Sequence, residues 1–248
     1  MSLDMQHSTS FEAEGGRHHE FAYVGRGLSR KEPIEITDDE SAYGYYTRGM
    51  FLIPPHYRDD VKSVMIPRGL VTDRIEKLAM DIRNFYGPTE ELHLICILKG
   101  SRGFFSHLVE CLNRLYQYTD GHVRPPYMEH YVRIKSYVDS SNTVRVNIMS
   151  DDLSVLKNKH VLIVEDIIDS GKTLKTFCRS LLDYHVQSLR VAALIEKRRD
   201  VPTLRADFVG FSCPSKFIAG HCIDYNEMFR DLEHVVVLNN EAIERYKK

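Results

Sequence analysis

The sequence predicts an α/β fold: a mostly parallel, twisted sheet flanked by helices, with a small hood or lid region. Three features of the chain predict it. Segments of strand and helix character alternate, most strands are continuous apolar runs, and polar residues follow where those runs end. Alternation of this kind gives right-handed crossovers between parallel strands, and continuous apolar runs are typical of strands covered on both faces. Ligands of such sheets bind beyond the carboxyl ends of the strands.

The first half of the chain supplies two helices, a buried strand and a pair of amphipathic strands. Apolar residues recur at three- and four-residue intervals between Val71 and Phe85 and predict a helix, which Gly87-Pro88 ends. "LHLICIL" (residues 92–98) predicts a strand, and a helix with one apolar side follows "KGSRG". "MEHYVRIKSY" and "TVRVNIM" alternate with period two, which predicts a hairpin or lid pair around the turn "VDSSN".

The second half returns to strand and helix. Residues 161–164 predict a strand, residues 172–184 a helix and residues 189–195 a further strand, followed by shorter strands around "DFVGF", "KFIAGH" and "HVVVL". Residues 1–35 differ from the rest because they are rich in Ser, Gly, His and charge and show no apolar period. We therefore predict one domain over residues 36–248 and a flexible extension before it.

Composition and charge narrow the classes of function. The 248 residues are 43% apolar and 27% charged, and the net charge of -2 gives no reason to expect nucleic-acid or membrane binding. No run approaches the ~20 apolar residues of a membrane span. The first residues lack the apolar core of a signal peptide. We therefore expect a cytoplasmic protein.

The cysteines and the histidines of the extension are weak candidates for metal binding. The five cysteines have no CxxC spacing and mostly lie in apolar runs, which favours buried structural thiols in a reducing compartment over disulfides or metal ligands. His7, His18 and His19 could bind a metal, but no further ligands follow at a set spacing. A solvated tail is the favoured interpretation.

The stretch "KHVLIVEDIIDSGKTLKTF" (residues 159–177) contains the polar residues that are most informative about the ligand. Its apolar strand leads to the adjacent carboxylates Glu165 and Asp166, which can accept hydrogen bonds from vicinal hydroxyls or reach Mg²⁺. Asp169 opens a turn into the next helix, where backbone N–H groups and the hydroxyls of Ser170 and Thr173 form an anion site. A ribose phosphate that carries Mg²⁺ fits both sites.

From the residues alone, two other interpretations of this stretch are possible. A P-loop would need its first glycine at position 166, where the chain has Asp166, so a P-loop nucleotidase is disfavoured. An ordinary strand–turn–helix with Asp169 as a capping residue explains one acid but not three.

The motif "VLIVEDIIDSGKT" resembles the phosphoribosyl-pyrophosphate motif of the type I phosphoribosyltransferases. From about Ile36 to Tyr246 the chain is similar to the 6-oxopurine branch of that family, the hypoxanthine-guanine phosphoribosyltransferases. The similarity runs through "IPRGLVTDRIEKLAMDI", "ILKG", "RIKSY", "DDLSVL", "DFVGF" and "DYNEMFRDL". The resemblance implies purine salvage, in which hypoxanthine or guanine and phosphoribosyl pyrophosphate give IMP or GMP and pyrophosphate with Mg²⁺. It also implies a homodimer or homotetramer.

By this resemblance, the phosphoribosyl pyrophosphate site is built from four parts. Glu165 and Asp166 hold the ribose hydroxyls, directly or through Mg²⁺. The other parts are the residues beside the pair (Ile167 and Ile168), those around the 5′-phosphate (Ser170, Gly171, Lys172 and Thr173) and those that reach the pyrophosphate (Lys99, Gly100 and Arg230). Ser136 and Tyr137 match a mobile loop that closes over the site, where a reacting ribosyl centre must be kept from water.

The resemblance also assigns the residues around the purine. Asp169 lies near N7 and serves as general base or acid for its proton, since a nitrogen nucleophile becomes effective as its proton leaves. Lys197 donates a hydrogen bond to the 6-oxo group, and Phe217 stacks on the base. The Ile218 backbone reads the base edge, and Asp224 approaches a second Mg²⁺.

Taken alone, several of these residues have plainer interpretations. Lys197 and Arg230 would be read as surface charges, and Phe217 as a core residue. The chain also departs from the family pattern at Ser101, where many relatives have a second glycine, and at His221-Cys222. The rival hypothesis is a catalytically weak, nucleotide-binding paralogue that acts as a regulator or interaction protein. The presence of Asp169 favours the enzyme.

Overall fold

The structure is a computed structural model of the 248-residue chain. It describes residues 32–39, 45–117, 120, 127–138, 144–150, 152–200 and 203–247, with the backbone alone for residues 136–138 and 144–146. The strands are β1 (Ile34–Glu35), β2 (Val61–Ile66), β3 (Leu92–Leu98), β4 (Tyr127–Val138), β5 (Val144–Met149), β6 (His160–Ile168), β7 (Ser188–Lys197), β8 (Phe208–Cys213), β9 (Ile218–Ala219) and β10 (Val235–Leu238). The helices are α1 (Arg68–Tyr86), α2 (Arg102–Gln117), α3 (Lys172–Leu182) and α4 (Asn240–Arg245).

Seven strands form the main sheet, and the predicted α/β fold is confirmed. Their order is β1-β8-β7-β6-β3-β4-β5, and every neighbouring pair is parallel except the β4–β5 hairpin. Helices cover both faces of the sheet. One buried cluster joins the sheet to α1 and α2, and another joins its opposite face to α3. Because β6 is central and buried on both faces, its carboxyl end is the natural site for a ligand.

Three short antiparallel strands form a second sheet in the order β2-β10-β9. Its buried residues pack against Tyr57 and Phe229 and against Ala242 of α4. The predicted lid pair forms the β4–β5 hairpin of the main sheet, whereas the sequence predicted neither this second sheet as a separate unit nor residues 61–66 as a strand. Their partner lies about 170 residues further along the chain, at β10, so the pairing leaves no local signal.

The boundaries of several elements differ from the predicted ones. β6 continues to Ile168 instead of ending at Val164, because β7 pairs with it as far as Glu196. α3 ends at Leu182, two residues before the predicted end. The main sheet begins before the predicted domain start at residue 36, since Ile34 and Glu35 pair with β8. The predicted extension otherwise lies outside the described residues.

Two further expectations can be compared with the described part of the chain. All five cysteines are free thiols, and four of them are buried while Cys222 is partly exposed. No helix in the described ranges is both long enough and apolar enough to cross a bilayer. His7, His18 and His19 lie outside these ranges.

Candidate active site

Two adjacent acids, the half-buried Glu165 and the buried Asp166, lie near the carboxyl end of β6. Asp166 is 7% exposed, and its backbone N–H donates to Ser101 Oγ at 3.1 Å. The same hydroxyl lies 3.3 Å from Glu165 Oε2 and 3.4 Å from Asp166 Oδ1. Burial raises the pKa of both carboxyls, and the charge of Asp166 raises the pKa of Glu165 further. Within the described residues, no ion pair joins this pair to a basic side chain. The charge of Arg230 lowers the pKa of Asp166 but does not cancel the effect of burial.

The loop after β3 lies directly against the acidic pair. A Cβ atom at Gly100 would collide with the Asp166 carboxylate, so only glycine allows this close approach. The peptide bond between Leu98 and Lys99 is cis. The Lys99 side chain extends away to form an ion pair with Glu227 at 2.8 Å. The loop thus brings the Gly100 backbone and the Ser101 hydroxyl, and not the Lys99 side chain, next to the acids.

The turn between β6 and α3 is where the sequence predicts an anion site. Gly171 adopts a left-handed conformation with φ of 72° and precedes the first helical residue, Lys172. The first N–H groups of α3 have no acceptors within the helix, and the Ser170 and Thr173 hydroxyls flank them. Asp169 makes no capping bond to this helix. The interpretation of Asp169 as a simple capping residue is therefore wrong.

Asp169 instead lies between two basic side chains. Lys197, the last residue of β7, places its Nζ 3.2 Å from Asp169 Oδ2 although its side chain is only 12% exposed. Arg199 forms a second ion pair with Asp169 Oδ1. Burial alone would raise the pKa of Asp169, but the hydrogen bond from Arg199 and the charge and hydrogen bond of Lys197 outweigh it and lower the pKa. Asp169 is thus held ionised.

A half-exposed aromatic ring stands at the edge of the second sheet. Phe217 is 48% exposed and meets the ring of Tyr225 edge-on at 5.1 Å between centroids. The interpretation of Phe217 as a core residue is therefore wrong. Ile218 follows as a buried residue of β9, paired with Val237.

Asp224 and Arg230 contact each other. Arg230 forms an ion pair with Asp224 at 2.8 Å, donates to the Cys222 carbonyl at 2.9 Å, and reaches Glu227 at 3.4 Å. Arg230 is only 19% exposed, so it is not the surface charge that its sequence context suggested. Glu227, which bridges Arg230 and Lys99, was not predicted as a site residue.

The remaining predicted residues are placed by β4 and β6. The backbones of Ser136 and Tyr137 lie in β4, opposite β5, while their side chains and the turn over residues 139–143 lie outside the description. Ile167 is half-buried and its backbone donates to Asp166. Ile168 is buried in the cluster that contains α3.

The sequence analysis did not predict Arg199 as a site residue, because it lies among other arginines that suggest a charged surface. The period-two alternation of an extended chain could have predicted it: side chains two residues apart point the same way, so Arg199 lies on the side of Lys197. Arg198 turns to the other side and pairs with Glu35 at 2.8 Å. Ser101 was noticed only as a departure from the family pattern, and its buried contacts with the acids depend on the fold.

Known proteins that are similar to this chain in sequence and fold are named as phosphoribosyltransferases. A model of the phosphoribosyl transferase domain matches residues 68–226. The hypoxanthine-guanine-xanthine phosphoribosyltransferase of Plasmodium falciparum is 45% identical over 225 residues, which cover 90% of this chain and 95% of that protein. The Homo sapiens hypoxanthine-guanine phosphoribosyltransferase is 40% identical over 222 residues, covering 88% and 99%.

A solved structure gives the same result. The hypoxanthine-guanine phosphoribosyltransferase from Schistosoma mansoni in complex with IMP superimposes with a TM-score of 0.70 and 32% identity, and the match covers 87% of this chain and 100% of that one. The domain match, the sequence identity over most of both chains and the structural similarity agree. The chain belongs to the phosphoribosyltransferases, in their hypoxanthine-guanine branch.

Proposed function

We propose that the protein acts in purine salvage, transferring the 5-phosphoribosyl group of phosphoribosyl pyrophosphate to N9 of hypoxanthine or guanine. The N9–C1′ bond forms as the bond from C1′ to pyrophosphate breaks, and IMP or GMP and pyrophosphate are the products. The named activities of the relatives support this proposal. They do not favour the rival hypothesis of a catalytically weak regulator.

The observation that carries the proposal is the contact between Asp169 and Lys197. The two side chains present an acceptor and a donor 3.2 Å apart at the carboxyl ends of neighbouring strands. A 6-oxopurine carries its 6-oxo group, an acceptor, beside N7 on the same edge. Lys197 can therefore donate to the oxygen while Asp169 accepts the proton that leaves N7. The existing ion pair aligns both groups before the base arrives.

The phosphoribosyl part of the substrate fits the surfaces around β6. The start of α3 offers N–H groups and hydroxyls to the 5′-phosphate, and the acidic pair lies where the ribose hydroxyls follow. The Lys99-Gly100 backbone and the fork of Arg230 suit a pyrophosphate, since a guanidinium binds phosphate oxygens in pairs. Phe217 supplies a face for the purine, and residues 136 and 137 belong to the hairpin that we expect to close over the site.

The residues present fit a magnesium ion. Glu165 and Asp166 offer the hard carboxylate oxygens that Mg²⁺ prefers, and burial raises the pKa of both carboxyls. When bound, Mg²⁺ would offset negative charge on the departing pyrophosphate. Asp224 would approach a second ion, after a change in its pairing with Arg230.

Discrimination against adenine tests the proposal. Lys197 has only donors, so a 6-amino group leaves a largely buried ammonium without its acceptor. We expect robust turnover of hypoxanthine or guanine, with adenine lower by ~10⁴-fold in kcat/KM. Lys197→Ala should narrow that gap by damaging the reaction of the 6-oxopurines. Steady-state assays with hypoxanthine, guanine, xanthine and adenine measure this directly. Comparable kcat/KM for adenine and hypoxanthine would contradict the 6-oxopurine assignment.

The cytoplasmic location and the homodimer or homotetramer expected from the family stay predictions. Size-exclusion chromatography with light scattering would establish the assembly. The assignment of xanthine as a substrate belongs to the Plasmodium falciparum relative by its name. The assay above determines whether this chain shares it.

A further inference from the structure

A cluster of three metal-ligating side chains lies between α1 and α2, apart from the site described above. Glu76 of α1 and His107 and Cys111 of α2 place one ligand atom each within 4.8 Å of the others. Among the described residues, this is the group of three His, Cys, Asp or Glu side chains whose ligand atoms lie close enough together to hold one metal ion. His107 and Cys111 are four residues apart on one helix, so the helix presents both side chains on the same face.

We propose that Glu76, His107 and Cys111 bind a zinc ion that links α1 to α2. Imidazole nitrogen, thiolate sulfur and carboxylate oxygen are the three ligand types that Zn²⁺ takes in proteins, whereas Mg²⁺ takes oxygen. Three protein ligands leave a fourth position for water. The proposal is independent of the purine chemistry, because none of the three residues belongs to the candidate active site.

The distances require only a small adjustment. Zinc bonds of about 2.0–2.3 Å place tetrahedral ligand atoms roughly 3.3–3.8 Å apart, so atoms within 4.8 Å must move together by about 1 Å. Glu76 is exposed and His107 is partly exposed, and both can therefore rotate. Cys111 is buried and fixes one corner of the site. The exposed ligands leave a path for the ion.

Arg114 is the competitor for this position. Its Nη2 donates to Glu76 Oε1 at 2.8 Å and to Cys111 Sγ at 3.2 Å, so a cation already lies beside the two ligands. The Arg114–Glu76 pair is about half exposed on both sides. Exposed ion pairs contribute little to stability, so displacing Arg114 should reduce the zinc affinity by less than about tenfold. The arginine also shows that the site attracts positive charge.

Cobalt substitution tests the proposal on the full-length protein. Co²⁺ bound by a thiolate gives a near-ultraviolet charge-transfer band, which zinc then removes by competition. We expect this band in the parent protein and its loss in Cys111→Ser. His107→Ala and Glu76→Gln, at more exposed positions, should weaken binding by ~10-fold or more, and Arg114→Gln should leave it equal or up to tenfold tighter.

Two control variants separate this site from other ligands. Cys222→Ser removes the partly exposed thiol near the active site, and Glu110→Gln changes a carboxylate adjacent to Cys111; both should keep the band. His7, His18 and His19 can bind cobalt but give no thiolate band. Zinc should also raise the melting temperature of the parent and not that of His107→Ala. A parent without the band, or a band lost in Cys222→Ser and kept in His107→Ala and Glu76→Gln, would overturn the proposal.

Discussion

Two acidic regions lie within five residues of each other on the same strand and turn, and they have opposite electrostatic environments. The acidic pair, the half-buried Glu165 and the buried Asp166, forms no ion pair with a basic side chain in the described residues, and burial raises the pKa of both carboxyls although the charge of Arg230 lowers that of Asp166 in part. The base pocket, which consists of Asp169, Lys197 and Arg199, holds its carboxylate between two cations and lowers its pKa. The acidic pair brings together two like charges that burial disfavours. The base pocket brings two cations to one carboxylate.

This difference in pKa indicates how carboxylates on one strand and its following turn could take two separate roles in a reaction. The pair is disfavoured as two anions, a cost that the proposed Mg²⁺ ion or ribose hydroxyls would relieve. Asp169 is stable as an anion, as its proposed role as the base for the purine proton requires. Residue type is the same in both regions, so the neighbouring strands decide the roles: β3 contributes a backbone loop and a hydroxyl, and β7 contributes ammonium and guanidinium groups.

The largest expected effect comes from removing the charge in the base pocket. Asp169→Asn keeps the shape of the turn but cannot take the N7 proton, so kcat should fall ~10²-fold or more with a much smaller change in KM. Asp183→Asn, at an exposed site just after α3, is the matched control and should behave like the parent. An unchanged kcat in purified Asp169→Asn protein would show that the base pocket has no role in proton transfer.

The second effect tests the acidic pair. Glu165→Gln combined with Asp166→Asn removes the ribose and metal contacts, so binding of phosphoribosyl pyrophosphate in Mg²⁺ should weaken by ~10–100-fold. Isothermal titration with the substrate measures this loss. Binding at parental affinity would remove the proposed role of the pair.

The same double variant should also be more stable than the parent near neutral pH, when both are measured without ligand. A raised folded-state pKa means that the folded chain binds more protons than the unfolded chain, so stability falls as pH rises from about 4, the unfolded value, through about 6 for Asp166. Amides avoid that loss. We expect a higher melting temperature for the variant at pH 8 and equal values near pH 4. A variant that is less stable than the parent at pH 8 would mean that the pair is structural.

The smallest effect concerns Arg199. Arg199→Gln removes one of the two cations that lower the pKa of Asp169, so that pKa should rise. Because the base must be ionised, the acidic limb of the kcat/KM profile should move to higher pH. Lys197 remains, and an exposed ion pair contributes little, so kcat at neutral pH should change less than about threefold. A shift of the limb to lower pH would contradict the assigned electrostatics.

Much of the site was predictable because its signals are local. The apolar run of β6, the acids that follow it and the Ser-Gly-Lys-Thr turn occupy one continuous stretch, and their order predicts a strand end, a carboxylate pair and an anion site. Lys197 and Arg230 were less predictable, since nothing in their flanking residues distinguishes a buried cation from a surface one. Their assignment depended on the resemblance to the family.

By itself, the sequence determined the alternation of strands and helices, the parallel sheet and the three acids at the carboxyl end of β6, because apolar period and residue type act over a few neighbouring positions. Only the tertiary structure decided that Asp169 meets Lys197 and Arg199, that Ser101 contacts both members of the acidic pair, and that residues 61–66 become a strand. Each of these contacts joins positions that are far apart in the chain. Strand order and register create these contacts, so no local pattern of residues predicts them.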